Sequence, residues 1–263
     1  MPYRLLSEFE ALFQGKFYNH RIFNLGDQVA LGLYEDLEAH GSSTKFATRT
    51  GSGQRVVNIA NVSPGIGSRR PDGTFGERLA HVPADVAAGF NVKRGLTASN
   101  EIGVEVKIVC KAMIRQFGRV KNDLIKQAGE IREKGSNAIT VAVVGINYAP
   151  HYVSLESDKE WRTTGKGRHK HPFQEADAIN QRLRTLVAPH YDELVILPFL
   201  ATNEAPFGFA WRNRTQTENE YGAALLRVSI GVQSGPPIGA QKGPRWGCVG
   251  RLMLGADFVL LPA

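Results

Sequence analysis

The chain has 263 residues, 32 Lys and Arg against 25 Asp and Glu, a net charge of +7, 42% apolar residues and 22% charged ones. This composition excludes a disordered, collagen-like or membrane chain, and the length is enough to bury a core without disulfide staples. The positive balance raises the expectation of a polyanionic partner, so where the charge lies matters more than its total.

The N-terminal MPYRLLSEFEALFQ carries Glu8 and Glu10 where a secretory signal needs an unbroken apolar run. No later segment reaches the ~18 uninterrupted apolar residues of a membrane span. A cytoplasmic protein with no membrane partner is expected. Asp27 can cap a helix running to about residue 39, with Val29, Ala30, Leu33, Tyr34 and Leu37 at helical spacing and Gly41 as a stop. QRVVNIANV, at 54–62, reads as a strand, and SPGIGSRRPDGTFG, at 63–76, as a loop. Residues 81–90 alternate, with Val82, Ala84, Val86, Ala88 and Phe90 on one face and Asp85 on the other; residues 102–109 alternate likewise.

The period then changes to about 3.6. Met113, Phe117, Val120, Leu124, Ala128 and Ile131 form one helical stripe that ends at Gly135. AITVAVVGI, at 138–146, is apolar on both faces, as in the middle of a sheet. A polar, basic stretch at 151–171 precedes a helix over 172–190 and a second buried strand over 193–200. Residues 217–228 look helical, and the glycine-spaced remainder reads as a long loop with a terminal strand. Cys110 and Cys248 have no spaced partners and read as buried thiols in a reducing compartment.

The informative segment is 82–122. Glu105 and Lys107 are two apart on a strand and leave the same face, while Val104, Val106 and Ile108 point the opposite way. Two charges within IGVEVKIV need either solvent, as on an edge strand, or a partner that compensates burial. A hairpin centred near Gly95 sets Asp85 opposite Glu105, whereas Asp72 would need a turn between Ala88 and Gly89, inside the apolar alternation; Asp85 is therefore preferred. Two carboxylates with an amine on one face suit a hard divalent cation such as magnesium, with Lys107 orienting or helping to deprotonate an attacking water. That is equipment for hydrolysing a phosphodiester.

Asp85, then about twenty residues, then Glu105-Val106-Lys107 on an apolar strand, then a helix carrying Gln116, resembles the PD-(D/E)xK nuclease superfamily of restriction, repair and recombination nucleases. The resemblance covers the core at about 22–200, with Pro83-Ala84-Asp85 standing where the family has Pro-Asp. It implies a restriction-endonuclease-like α/β fold, a mixed central sheet flanked by helices in the order αβββαβαβ, in a single domain with residues 201–263 as an extension of unassigned role. It also implies Asp85 and Glu105 as metal ligands, Lys107 as the catalytic lysine, Glu35 as an accessory acid and Gln116 as the polar residue of the following helix.

WRTTGKGRHKH, at 161–171, holds Arg162, Lys166, Arg168 and Lys170 without an acid and can follow phosphates as a flexible loop; His169 and His171 read as surface histidines. Lys111, Arg115 and Arg119 add a basic face on the helix after the motif strand. No phosphate loop, dinucleotide fingerprint, GxSxG elbow or HExxH is present. The expectation is a magnesium-dependent deoxyribonuclease, with manganese as substitute, acting on DNA as a restriction or defence endonuclease. A homodimer would provide two active sites for two strands. A non-catalytic nucleic-acid binder on the same scaffold and a repair or recombination exonuclease are the alternatives.

Overall fold

A computed structural model of the chain describes residues 2–19, 25–40, 43–58, 72–86, 88–134, 137–156 and 159–233. In chain order the elements are α1 (Arg4–Glu10), α2 (Leu25–Ala39), α3 (Thr44–Gly51), β1 (Arg55–Asn58), β2 (Gly73–Glu77), β3 (Asp85–Val86), β4 (Lys93–Gly95) and β5 (Ile102–Val109). There follow α4 (Met113–Lys134), β6 (Ile139–Asn147), β7 (Val153–Glu156), β8 (Lys159–Arg162), α5 (Pro172–Leu186), β9 (Glu193–Ala201), β10 (Phe209–Trp211) and α6 (Arg214–Gln233). Eight strands make one mixed sheet in the order β10-β9-β6-β5-β2-β1-β4-β3, while β7 and β8 form a separate two-stranded ribbon.

The alternation in β6 explains the layering. Val141 and Val143 face a core built with Leu5 and Phe9 of α1, Leu33 and Tyr34 of α2 and Tyr221 of α6. Ala142, Val144 and Ile146 face the other core, with Leu124 of α4 and Ile179 and Leu183 of α5. Helices thus cover both faces of the sheet, and each fully buried Leu, Ile or Phe contributes about 1.5–3 kcal/mol to holding them there. The chain is therefore a mixed α/β protein with a large sheet flanked by helices. Among the described residues no helix is long and apolar enough to cross a membrane.

Distant parts of the chain are joined through buried polar side chains. Asp36 of α2 accepts hydrogen bonds from the Arg4 and Leu5 amides at 2.6 and 2.9 Å and from the Tyr221 hydroxyl at 2.7 Å. Burial pushes the Asp36 carboxyl above its ordinary range, and these three donors oppose the shift. Asn203, just after β9, accepts from the Tyr18 amide and donates to the Tyr18 and Val153 carbonyls. Every such donor and acceptor would be costly to leave unpaired in the interior.

Several expected elements are corrected. The segment read as a loop at 63–76 contains β2, whose residues Gly73 to Gly76 are buried. Its glycines are set by neighbours rather than by turns: a Cβ at Gly73 would lie 2.8 Å from Ala30 Cβ, and one at Gly76 would lie 2.1 Å from the Ser99 carbonyl oxygen. The alternating run at 81–90 forms only the two-residue β3, because Pro83 withholds an amide and only Phe90 of its five apolar positions is buried. The chain turns at Gly89, which has φ +80°. The basic stretch 151–171 carries the β7–β8 hairpin. The helix over 172–190 stops at Leu186 and continues as a 3-10 turn over Ala188–His190, where Pro189 supplies no amide.

The expected order therefore gains α1, α3 and two extra strands before β5, and β10 falls within the stretch just after residue 200, where no strand is expected. The helix at the motif strand and the two buried parallel strands lie where expected, with β5 pairing β6 and β6 pairing β9 in parallel. Cys110 is a buried free thiol, pushed up to about 12 by burial. Cys248, Gly41, Gly135, residues 59–62 of the first expected strand and the expected terminal strand lie outside the described residues.

Candidate active site

The strand β5 sets the site. Ile102, Val104 and Val106 belong to the core shared with α1 and α2, so Glu105 and Lys107 emerge on the α4 side, as their spacing requires. Glu105 is only 2% exposed, and its Oε1 meets Lys107 Nζ at 2.5 Å. These two side chains form a pair in the interior of the sheet, not the solvent-facing edge of the alternative reading.

The second carboxylate is Asp72. The antiparallel register of β2 and β5 matches Gly73 with Val104, Thr74 with Gly103 and Phe75 with Ile102. One step further, just before β2, Asp72 stands opposite Glu105. The Val106 amide donates to Asp72 Oδ2 at 2.7 Å, where a longer strand would have supplied a carbonyl. The N-terminus of α2 abuts the same carboxylate: a Cβ on Gly26 would lie 2.5 Å from Asp72 Cγ. A helix N-terminus carries partial positive charge, and this close approach sets it against the Asp72 carboxyl group.

Asp85 is not at the site. It pairs with Arg94 in β3, the outermost strand on the far side of β1 and β4, and is exposed. The hairpin expected to centre near Gly95 is replaced by a detour: the chain leaves β2, builds β3 and β4 beyond β1, and returns to β5. Asp72 and Glu105 thus meet with the register that the turn at Ala88 and Gly89 would give.

Glu35 is also placed elsewhere. It lies roughly 13 Å along α2 from Gly26 at ~1.5 Å per residue. Its Oε1 accepts from the Asn91 and Val92 amides at 2.7 and 2.5 Å, so it holds the chain entering β4 rather than an ion at Asp72. Gln116 is too far along α4. Ile131 marks the level of Gly103, with its Cγ2 2.6 Å from a Cβ built there. Gln116 is roughly 22 Å away along the helix axis, while Glu105 is only about 7 Å along the strand.

Electrostatics separate the members of the cluster. Burial and then the charge of Asp72 push Glu105 up to about 8, against the opposing pull of Lys107. Lys107 is desolvated, which lowers it, yet the charges of Glu105, Asp72 and Asp123 hold it above its ordinary range. Both shifts run upward, so each member of the pair holds its proton more tightly than it would in water. Lys107 is thus a cation that donates hydrogen bonds, not a base.

Glu105 Oε2 is buried and has no hydrogen-bond partner. An orphaned carboxylate oxygen beside a second carboxylate is a donor set for a cation. Among the described residues no group of three or more His, Cys, Asp or Glu makes a ready cage. That leaves two carboxylates, which is what magnesium uses when it keeps most of its waters and takes substrate oxygens.

The basic residues divide into two sets. Lys111, Arg115, Arg168 and Lys170 line one cavity of about 240 Å³, together with Gln116 and Trp161. Trp161 was not foreseen, since only the cations of its segment suggested binding. Arg162 instead bonds Glu204 at 3.0 Å and His151 at 2.9 Å. Arg119 is largely exposed, 3.9 Å from Asp123, and Lys166 bridges to His169 through the backbone. His169 lines the cavity, and His171 caps α5, its amide donating to Gln174 Oε1 at 2.8 Å.

Comparison with family models, with curated proteins and with solved structures gives no match to this chain.

Proposed function

We propose that the protein is a magnesium-dependent deoxyribonuclease that hydrolyses phosphodiester bonds at Asp72, Glu105 and Lys107. The observation that carries this reading is the buried, unpartnered Glu105 Oε2 beside Asp72, with Lys107 2.5 Å from the other oxygen of Glu105. With Asp72 opposite Glu105, Pro71-Asp72 and Glu105-Val106-Lys107 give the PD-(D/E)xK pattern without the departure that Asp85 requires. The flanked mixed sheet is in keeping with the restriction-endonuclease-like fold, and a restriction or defence endonuclease is the finer form of the proposal.

Asp72 and Glu105 would hold the ion, manganese substituting for magnesium. When bound, the ion polarises a phosphoryl oxygen and makes a water more acidic. Asp72 is positioned by the Val106 amide and the α2 N-terminus, so its carboxylate needs no rearrangement to act as a ligand. Lys107, kept protonated, donates to the attacking water or the scissile phosphate and offsets the charge that accumulates in the transition state.

The raised Glu105 sets the pH dependence. A carboxyl raised in the folded state binds its proton more tightly there than in the unfolded chain. The metal-free protein therefore loses stability as pH rises from the ordinary value of 4.5 through about 8. A cation must displace that proton, so apparent magnesium affinity should rise by up to ~tenfold per pH unit below about 8 and level off above it. Isothermal titration with magnesium across this range checks the slope, and a flat profile would refute it.

The direct test is conversion of supercoiled plasmid to nicked and linear forms with magnesium, with manganese and with EDTA. Metal-dependent conversion is expected. Plasmid that survives both metals would overturn the endonuclease reading.

A further inference from the structure

We infer that the cavity between the start of α4 and the β7–β8 ribbon takes one unpaired nucleotide of a DNA strand, its base stacked on Trp161 and its phosphate held by the surrounding cations. The inference rests on the deoxyribonuclease reading for the nature of the strand and adds a requirement for an unpaired base.

The cavity has two kinds of wall. Lys111, Arg115, Arg168 and Lys170 bring four cationic side chains to one opening, and among the described residues no acid lines it. Such a concentration of positive charge attracts an anionic group such as a phosphate. A phosphate-tracking groove, however, needs no aromatic wall. Trp161 supplies one and is 50% exposed, a large apolar surface left uncovered in the described protein. Every base has a π-face, so an indole beside cations is a general platform for single-stranded nucleic acid. A base inside a duplex is already stacked on both faces and cannot use it.

Gln116 adds an amide that can both donate to and accept from a base edge. At about 240 Å³ the cavity falls just below the ~300 Å³ lower range of small-molecule sites, which fits one nucleotide and not a longer stretch. The backbone at its rim is constrained: Ala112, between β5 and α4, sits at φ +47°, a region that residues with a Cβ rarely occupy. Lys111 Nζ donates to Ser154 Oγ, tying the helix side of the cavity to the ribbon that carries Trp161.

The cavity also lies within reach of the site. Lys111 follows Lys107 by four residues, roughly 13 Å at the rise of an extended chain. One strand can therefore occupy both places.

The test is binding in EDTA, where no cleavage interferes. Fluorescence anisotropy would compare the full chain on a blunt duplex, on the same duplex with a single-stranded tail, and on one whose tail is abasic. The tailed duplex should bind about tenfold more tightly than the other two, as expected for one stacked base. Trp161→Ala should erase that preference while leaving affinity for the blunt duplex unchanged, and Trp161→Phe, which keeps a ring, should retain most of it. Arg168→Ala should weaken binding to all three and reduce the salt slope by about one. Equal binding of blunt and tailed duplexes, full binding of the abasic tail, or an intact preference in Trp161→Ala would each overturn the proposal. Loss of metal-dependent cleavage with the preference intact would overturn the nuclease reading alone.

Discussion

Replacing Glu105 with glutamine is expected to abolish plasmid cleavage while leaving the protein as stable as before. Glutamine keeps the shape of the side chain and the packing of β5 but cannot serve as an anionic ligand. The rate should fall by at least ~10³-fold, about 4 kcal/mol of transition-state stabilisation. Stability should behave in the opposite way. The carboxylate of Glu105 is buried with one oxygen unpartnered, so its charged form is costly, and a neutral amide of the same size removes that cost. Lys107 loses its ion-pair partner, but its side chain is 30% exposed and can be solvated. Thermal unfolding of Glu105→Gln should lie within about 3 °C of the parent or above it. Cleavage within tenfold of the parent would remove Glu105 from the mechanism, and a large drop in unfolding temperature would recast it as a structural residue.

The choice between Asp72 and Asp85 gives the sharpest contrast. Asp72→Asn should lower cleavage by ~10³-fold or more, because the amide oxygen still accepts from Val106 but no longer offers a second negative charge. The Val106 contact thus survives, and circular dichroism should show an unchanged fold. Asp85→Asn alters an exposed residue on the outermost strand and should change cleavage by less than about twofold. A reversed pattern, with Asp85→Asn inactive and Asp72→Asn active, would overturn the assigned site.

Why one ligand was legible and the other was not follows from how each strand is made. Strand β5 has eight residues whose apolar side chains alternate with Glu105 and Lys107, and the following helix announces itself by a six-residue apolar stripe. Periodicity needs only the local chain, so both were readable. Strand β2 is Gly-Thr-Phe-Gly-Glu, and its glycines are dictated by Ala30 and the Ser99 carbonyl, neighbours that only the folded protein supplies. The segment around Asp85 shows the converse: its alternation is real, but among the described residues no second surface buries it. The register was misplaced for the same reason, since the detour through β3 and β4 is a tertiary event that no local pattern encodes. Trp161 was overlooked because a single aromatic among cations has no period at all.

The contacts of Asp36 and Asn203 bear on the order in which the protein can assemble. Asp36 is bridged to Tyr221, and Tyr18 to Asn203, each across 185 residues. A chain emerging from the ribosome cannot close either link until more than two hundred residues have been made. Helix α1 has α2 to pack on, but Tyr221 of α6 can reach Asp36 only after every described strand of the sheet has been made. Loop-closure entropy over such separations makes this a slow folder by topology. The interval before α6 is complete is when a chaperone would find purchase.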